Sequence, residues 1–195
     1  MVKRAISDGN VSAGRSGRSR GDPHDGARDR VPLADRIVEQ LDADHGQDLF
    51  GLARRSGLDD SAAEDAVQEA LLRVWLEVRS GVDIIEPRAW VFRTLYRVAM
   101  DEHRVRRRTL DLVNRLRPIA PRRVAAADSL ERASIWTIVD RLPTRQRQVM
   151  YLRYKADMTF DQVGAVMGIT ASAARAHASF GAGRLRELMG PEWQD

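Results

Sequence analysis

The 195-residue chain is expected to be all-α, with two small helical domains joined by a flexible linker and a helix-turn-helix in the C-terminal one. Three observations lead there. From Val31 onward apolar residues recur at spacings of three and four, and no stretch alternates apolar with polar as a half-buried strand would. Near the C-terminus a short apolar helix is bracketed by a capping threonine on each side and a glycine between. Between the two helical stretches, 109–129 holds Pro118, Pro121 and a run of small and basic residues, which reads as a linker.

In chain order, 1–30 is rich in Gly, Ser, Arg and Asp and has almost nothing apolar to bury, so it cannot offset its ordering entropy and is expected to be a disordered tail. Leu33, Ile37, Val38 and Leu41 mark a first helix, and Leu49, Phe50, Leu52 and Ala53 a second. After a turn at Gly57-Leu58-Asp59-Asp60, Ser61 is the expected N-cap of the next helix, with Glu64 as its capping-box partner. This helix, 62–79, has a core stripe of Val67, Ala70, Leu71, Val74, Trp75 and Val78. Its opposite face carries Asp65, Gln68, Glu69, Leu72 and Leu76, and acid, amide and leucine together on an outward face suit a docking surface.

Residues 80–86 form a loop, and Pro87 opens a helix reaching about Arg108. Its expected core stripe is Val91, Leu95, Val98, Ala99 and Val105. A second stripe is Trp90, Arg93, Arg97, Arg104 and Arg108, and a third carries Phe92, Tyr96 and His103. Cations that follow a backbone, beside aromatics on which bases stack, suit single-stranded DNA; aromatics in the core and arginines in water are the alternative. Beyond the linker, Leu130, Ala133, Ile135, Trp136, Ile138 and Val139 give a helix that packs on the helix-turn-helix.

Pro143 falls in the first turn of the next helix, which Ala156-Asp157-Met158 ends. Thr159 and Gln162 form a capping box for the short helix of Phe160, Val163, Val166 and Met167. Gly168 supplies a left-handed turn, Ile169 returns to the core, and Thr170 caps a last helix to about Met189. That architecture lays a recognition helix in a DNA major groove, and Ser172, Arg175, Ser179, Arg184 and Arg186 are on the side that can reach bases or phosphates.

Composition narrows the classes. With 32 Lys and Arg against 28 Asp and Glu the net charge is only +4, yet the pI near 10.1 reflects heavy use of arginine, whose planar fork suits phosphate. There is no cysteine for a disulfide or thiolate metal site, and His24, His45, His103 and His177 fit no metal spacing. Glu64, Asp65 and Glu69 do not share a direction that would hold a divalent cation. A Gly-rich phosphate loop with its lysine is absent, so an enzyme is disfavoured and neither metal nor cofactor is expected. Without a run of about 18 apolar residues or an N-terminal apolar segment, neither membrane insertion nor secretion is expected, and the expected location is cytoplasmic.

The motifs then meet a family. Glu64-Asp65-Ala66-Val67-Gln68-Glu69-Ala70-Leu71-Leu72-Arg73-Val74-Trp75 resembles the second conserved region of bacterial RNA polymerase sigma factors. Pro87-Arg88-Ala89-Trp90-Val91-Phe92-Arg93, with Ala99-Met100-Asp101-Glu102 and the arginines to Arg108, resembles the helix that follows it. Leu142-Pro143-Thr144-Arg145-Gln146-Arg147-Gln148-Val149 and Gly168-Ile169-Thr170 resemble the fourth region, and the spacing is similar to that of the extracytoplasmic-function (ECF) group.

The resemblance implies a sigma factor that binds core polymerase and directs promoter-specific transcription initiation. It divides the chain into a region 2-like domain at 31–108, a linker at 109–129 and a region 4-like domain at 130–190. Asp65, Gln68, Glu69, Leu72 and Leu76 would dock on the clamp helices of the largest polymerase subunit. The loop at 80–86 with Trp90, Arg93, Tyr96, Arg97, Arg104 and Arg108 would hold the melted −10 strand. Thr170, Ser172, Arg175, His177, Ser179 and Arg184 would serve the −35 element, with the flap of the second-largest subunit and an anti-sigma protein as further partners. Two departures stand out: members commonly carry a basic residue and then Asn where Tyr96 and Arg97 stand, and the last helix, with Gly181 and Gly183, is poorer in Lys and Arg than is usual. A stand-alone helix-turn-helix regulator is the rival reading. It leaves the Asp65–Leu76 face without a use, and it would bind promoter DNA without core polymerase.

Overall fold

Helical spacing becomes helix throughout the computed structural model, which describes residues 30–116 and 135–189, the side chains of 106–116 excepted. The expected N-terminal tail, most of the expected linker, and Leu130 and Ala133 lie outside the described residues. Among the described residues there are seven helices and no strand.

Helix α1 spans Val31–Arg55 as one piece, where two helices were expected. Gly46 does not break it, because Ala34, Leu41, Leu49 and Leu52 are buried along one continuous face. Burial of that face outweighs the roughly 1 kcal/mol that an interior glycine costs. The helix ends at Ser56, whose hydroxyl donates to the Leu52 carbonyl at 2.9 Å.

Helix α2 spans Asp60–Ser80, and its N-cap is Asp59 rather than Ser61. Asp59 has the extended backbone that a cap requires and accepts from the Ala62 N–H at 3.0 Å, whereas Ser61 already lies inside the first turn. The expected core stripe is correct: Ala70 and Val74 are fully buried, and the Trp75 indole donates to Asp35 of α1 at 2.8 Å.

Helix α3 spans Pro87–Leu116, eight residues beyond the expected end, so the first part of the expected linker is helical. Val91, Leu95 and Ala99 are buried as expected, but Val105 is 56% exposed. It lines the open groove between α2 and α3 instead of the core.

Helices α4 (Ile135–Val139), α5 (Thr144–Tyr154), α6 (Phe160–Met167) and α7 (Ala171–Met189) complete the chain. Pro143 is the N-cap of α5 and not part of its first turn, since its ψ of 142° is extended. Around α6 the local reading is correct in detail. Gln162 N–H donates to Thr159 Oγ1 at 3.2 Å and Gln162 Oε1 accepts from Thr159 N–H at 2.9 Å. Gly168 takes φ 66°, a left-handed turn that a Cβ would resist. Thr170 Oγ1 accepts from Ala173 N–H at 3.1 Å.

Helices α1, α2 and α3 pack on one another, and α7 packs on α4, α5 and α6. The two groups also meet, α6 against α3 and α5 against α1.

Candidate functional site

Three surfaces carry the expected side chains. On α2, Asp65 and Gln68 are exposed and Glu69 half-buried, and Leu72 and Leu76 are 51% and 48% exposed. The core stripe of α2 faces α1 and α3, which leaves these five on the outer side. Glu69 is not a free carboxylate: Arg73 pairs with it at 2.8 Å, one helical turn away. Beside them an open groove of about 700 Å³ separates α2 from α3, lined by Asp65, Glu69 and Arg73 on one wall and Val98, Asp101 and Val105 on the other.

On α3 the expected alternation of cations and aromatics separates into two environments. Trp90 and Arg93 are half-buried and Arg97 and Arg104 exposed, Arg104 pairing with Asp101 at 2.7 Å; the Arg108 side chain lies outside the described residues. The third stripe is not an open stacking platform. Phe92 is fully buried, edge-on to His45 with ring centroids 6.1 Å apart. Tyr96 is 5% exposed, and its hydroxyl accepts from Arg145 of α5. Burial pushes the Tyr96 pKa up from its ordinary value, partly opposed by the Arg145 charge, so the phenol stays neutral. Only His103 of that stripe is exposed, close to Gly57. Helix α3 is covered on two sides, by α1 and α2 and by α6, so apolar side chains in two sectors are buried. The loop before it presents Ile85, 90% exposed.

On α7, Ser172, Arg175, Ser179 and Arg184 are exposed and His177 half-buried. The Thr170 hydroxyl is engaged in capping. The Arg175 guanidinium lies 5.5 Å from the centroid of the Phe160 ring, a cation–π contact that holds it near the start of α6. Gly181 has a packing reason: a Cβ there would come within 3.1 Å of Met150, so the glycine lets α7 lie close on α5. Gly183 faces open space.

Sequence reasoning missed a set of residues where the two groups of helices meet. Gln148 and Ser56 are both fully buried, and Gln148 Nε2 donates to Ser56 Oγ at 3.0 Å. Arg55 lies 3.1 Å from the Asp140 carboxylate and 4.5 Å from the centroid of the Tyr151 ring. Tyr151 donates to Asp48 at 3.3 Å and lies against Gly51, where a Cβ would collide with its ring. Nothing in the sequence singled these residues out, since Gln148 follows the polar run Thr144-Arg145-Gln146-Arg147.

The comparisons with known proteins follow this geometry. The model of sigma-70 region 2 matches residues 41–109 and that of sigma-70 region 4 matches 138–187, together more than half of the chain. Among solved structures, the sigma factor RpoE from Bartonella quintana, in complex with the anti-sigma factor NepR, is similar with a TM-score of 0.61 and 22% identity, covering 77% of this chain and 95% of that one. CnrH, in complex with the cytosolic domain of CnrY, is similar with a TM-score of 0.55 and 22% identity, covering 84% of this chain and 94% of that one. No curated protein matches the chain significantly.

A three-helix unit with an outward polar–leucine face, followed by a capped helix-turn-helix, is the fold of a promoter-recognition subunit. The chain belongs to the sigma-70 family of RNA polymerase sigma factors, with region 2 followed by region 4. Its partners are core RNA polymerase and promoter DNA. Among the described residues no helix is long and apolar enough to cross a membrane.

Proposed function

We propose that the three surfaces divide the work of initiation among themselves, and that the protein contributes binding and not catalysis. Asp65, Gln68, Glu69, Leu72 and Leu76 dock on the clamp helices of the largest polymerase subunit. The loop at 80–86 and the α3 residues Trp90, Arg93, Arg97, Arg104 and Arg108 hold the −10 strand, while Tyr96, buried and bonded to Arg145, is left out of that surface. The α7 residues Ser172, Arg175, His177, Ser179 and Arg184, with Thr170 as cap, read the −35 element, while the region 4 unit contacts the flap of the second-largest subunit. The corresponding domains are 31–108 and 130–190, with 109–129 between them and the tail at 1–30. The protein acts in the cytoplasm, where its polymerase is, and an anti-sigma protein is a further partner, as for the two similar structures solved with theirs.

The observation that carries this reading is the outer face of α2. Two half-exposed leucines among Asp65, Gln68 and Glu69 serve no purpose in the fold, and an isolated DNA-binding regulator has no use for them. Run-off transcription tests it: core polymerase plus this protein, on fragments of the source genome, should give discrete transcripts absent with core alone. Silence on every promoter, with the same core active under another sigma factor, overturns it.

A further inference from the structure

Amphipathic spacing explains the buried side of α7, and one large side chain on its outer side has no such explanation. Phe180 is 67% exposed, the most exposed aromatic side chain among the described residues. We propose that Phe180 is a specificity-determining residue of the −35 reader, which recognises thymine in the major groove by contact with its C5 methyl group. The inference rests on the reading of α7 as the −35 surface, and it adds a residue that neither charge nor hydrogen bonding selects.

Position is the first support. Helix α7 turns Ala174, Ala178, Gly181 and Leu185 to the core. At about 100° per residue, Phe180 falls on the far side, in a stripe with Ala173, Ala176 and Gly183 at spacings of three, four and three. The stripe runs beside Ser172, Arg175 and Ser179, and Arg175 and Arg184 border the combined face on its two sides. Phe180 therefore belongs to the surface that would enter the groove and not to a separate patch.

Room is the second support. A helical side chain leans toward the N-terminus of its helix, so the Phe180 ring is aimed over the turn that carries Ala176. Ala176 is exposed and Ala173 half-buried, and neither is long enough to hold a base away. On the following turn Gly183 has open space where a Cβ would stand. One ring thus rises from a floor of methyl groups and bare backbone, which lets a base-pair edge come close to it. Phe160, by contrast, is engaged, with Arg153 and Arg175 each 5.5 Å from its centroid.

Chemistry is the third. Donors and acceptors identify each base pair in the major groove, and the thymine methyl is the one apolar group on display there. Alanine and phenylalanine side chains neither donate nor accept, so this stripe discriminates by contact with that methyl. Burying one methyl is worth a factor of about four in affinity. The same stripe accounts for the scarcity of Lys and Arg on α7, since a face that reads methyl groups leaves charge to its borders.

Uracil isolates the contact, because it is thymine without the methyl. Holoenzyme, made from core polymerase and the full chain, selects from a promoter fragment of the run-off screen with its −35 positions randomised. The best binder is then remade with uracil at each −35 thymine in turn. Uracil at one or two of these positions should weaken binding by wild-type holoenzyme about fourfold each. Phe180→Ala should bind the thymine and uracil fragments alike, both about as weakly as wild type binds uracil. The variant should melt with wild type, because an exposed ring contributes little to the fold. An enriched element of G·C pairs alone, uracil tolerated by wild type at every position, or a Phe180→Ala that still discriminates, each overturns the inference. If wild type does not discriminate while Phe180→Ala binds every fragment more weakly, the ring meets a protein partner and the inference falls. Selection that enriches no −35 sequence overturns the reading of α7 itself, whereas an enriched sequence indifferent to uracil leaves that reading standing.

Discussion

Truncating Leu72 and Leu76 together to alanine should separate docking from folding. In the free chain the two leucines are 51% and 48% exposed, so about half of each side chain remains to be buried by a partner. Full burial of a leucine is worth about 1.5–3 kcal/mol, which leaves about 1 kcal/mol apiece for docking and about 2 kcal/mol for the pair. At 1.4 kcal/mol per factor of ten, this is about a 30-fold loss of affinity for core polymerase. The folding cost should stay within about 0.5 kcal/mol, as for other surface substitutions. Leu71→Ala is the contrasting control: at 9% exposure on the inner face it should cost about 2–5 kcal/mol of stability. Competition of each variant against labelled wild type for limiting core measures the first quantity, and thermal melts followed by circular dichroism the second. A double variant that competes like wild type, or that melts as early as Leu71→Ala, would refute the assignment of this face.

Glu69→Ala removes a half-exposed ion pair with Arg73, so it should cost folding no more than about 0.5 kcal/mol while weakening core binding; equal affinity in the competition assay would count against a docking role for this carboxylate. Thr159→Ala opens the capping box at α6 and should lower stability by about 1 kcal/mol, read as an earlier melt of the helix-turn-helix, with no change expected in core affinity. Arg175→Ala should cost about 1–3 kcal/mol and relax preference at one −35 position if the guanidinium pairs with a guanine. Transcription from a library of randomised −35 elements measures that, and a uniform loss across the library, with the salt slope smaller by about one, would make Arg175 a phosphate contact instead.

Features set by neighbours in sequence were legible, and features set by tertiary contact were not. The Thr159–Gln162 box, the Gly168 turn and the Thr170 cap involve residues three or four apart, so the chemistry is all in view. Asp59 and Ser61 are both good caps two positions apart, and only backbone geometry chooses between them. Two helices were expected where α1 is one, because the burial that carries α1 through Gly46 comes from α2 and α3. Phe92 and Tyr96 were left open between a stacking platform and the core for a related reason: a helix with two apolar sectors can expose one to a ligand or cover it with another part of the chain, and periodicity is the same in both cases. The outer face of α2 was legible because its leucines interrupt an otherwise polar side. The contacts between the two groups of helices were not, since Arg55, Asp140, Arg147 and Gln148 look like ordinary surface residues until their distant partners are known.

The sparse charge of α7 bears on how a −35 element is held. Arg175, Arg184 and Arg186 are its only Lys or Arg residues, so by itself it neutralises at most about three phosphates. A helix so lightly charged holds a −35 element weakly, and much of its grip has to come from attachment to a body already bound nearby. On the proposed assignment, core polymerase docked on α2 and a −10 strand on α3 supply that attachment, because a second contact made within one complex benefits from a high effective concentration. Ser172, Arg175, Ser179 and Arg184 are exposed on α7 and free to meet DNA. Strengthening α7 with added arginines should therefore raise binding of the free chain to a −35 duplex in a direct titration, and raise transcription far less, because the attachment already supplies most of the grip; an equal gain in both would refute the argument.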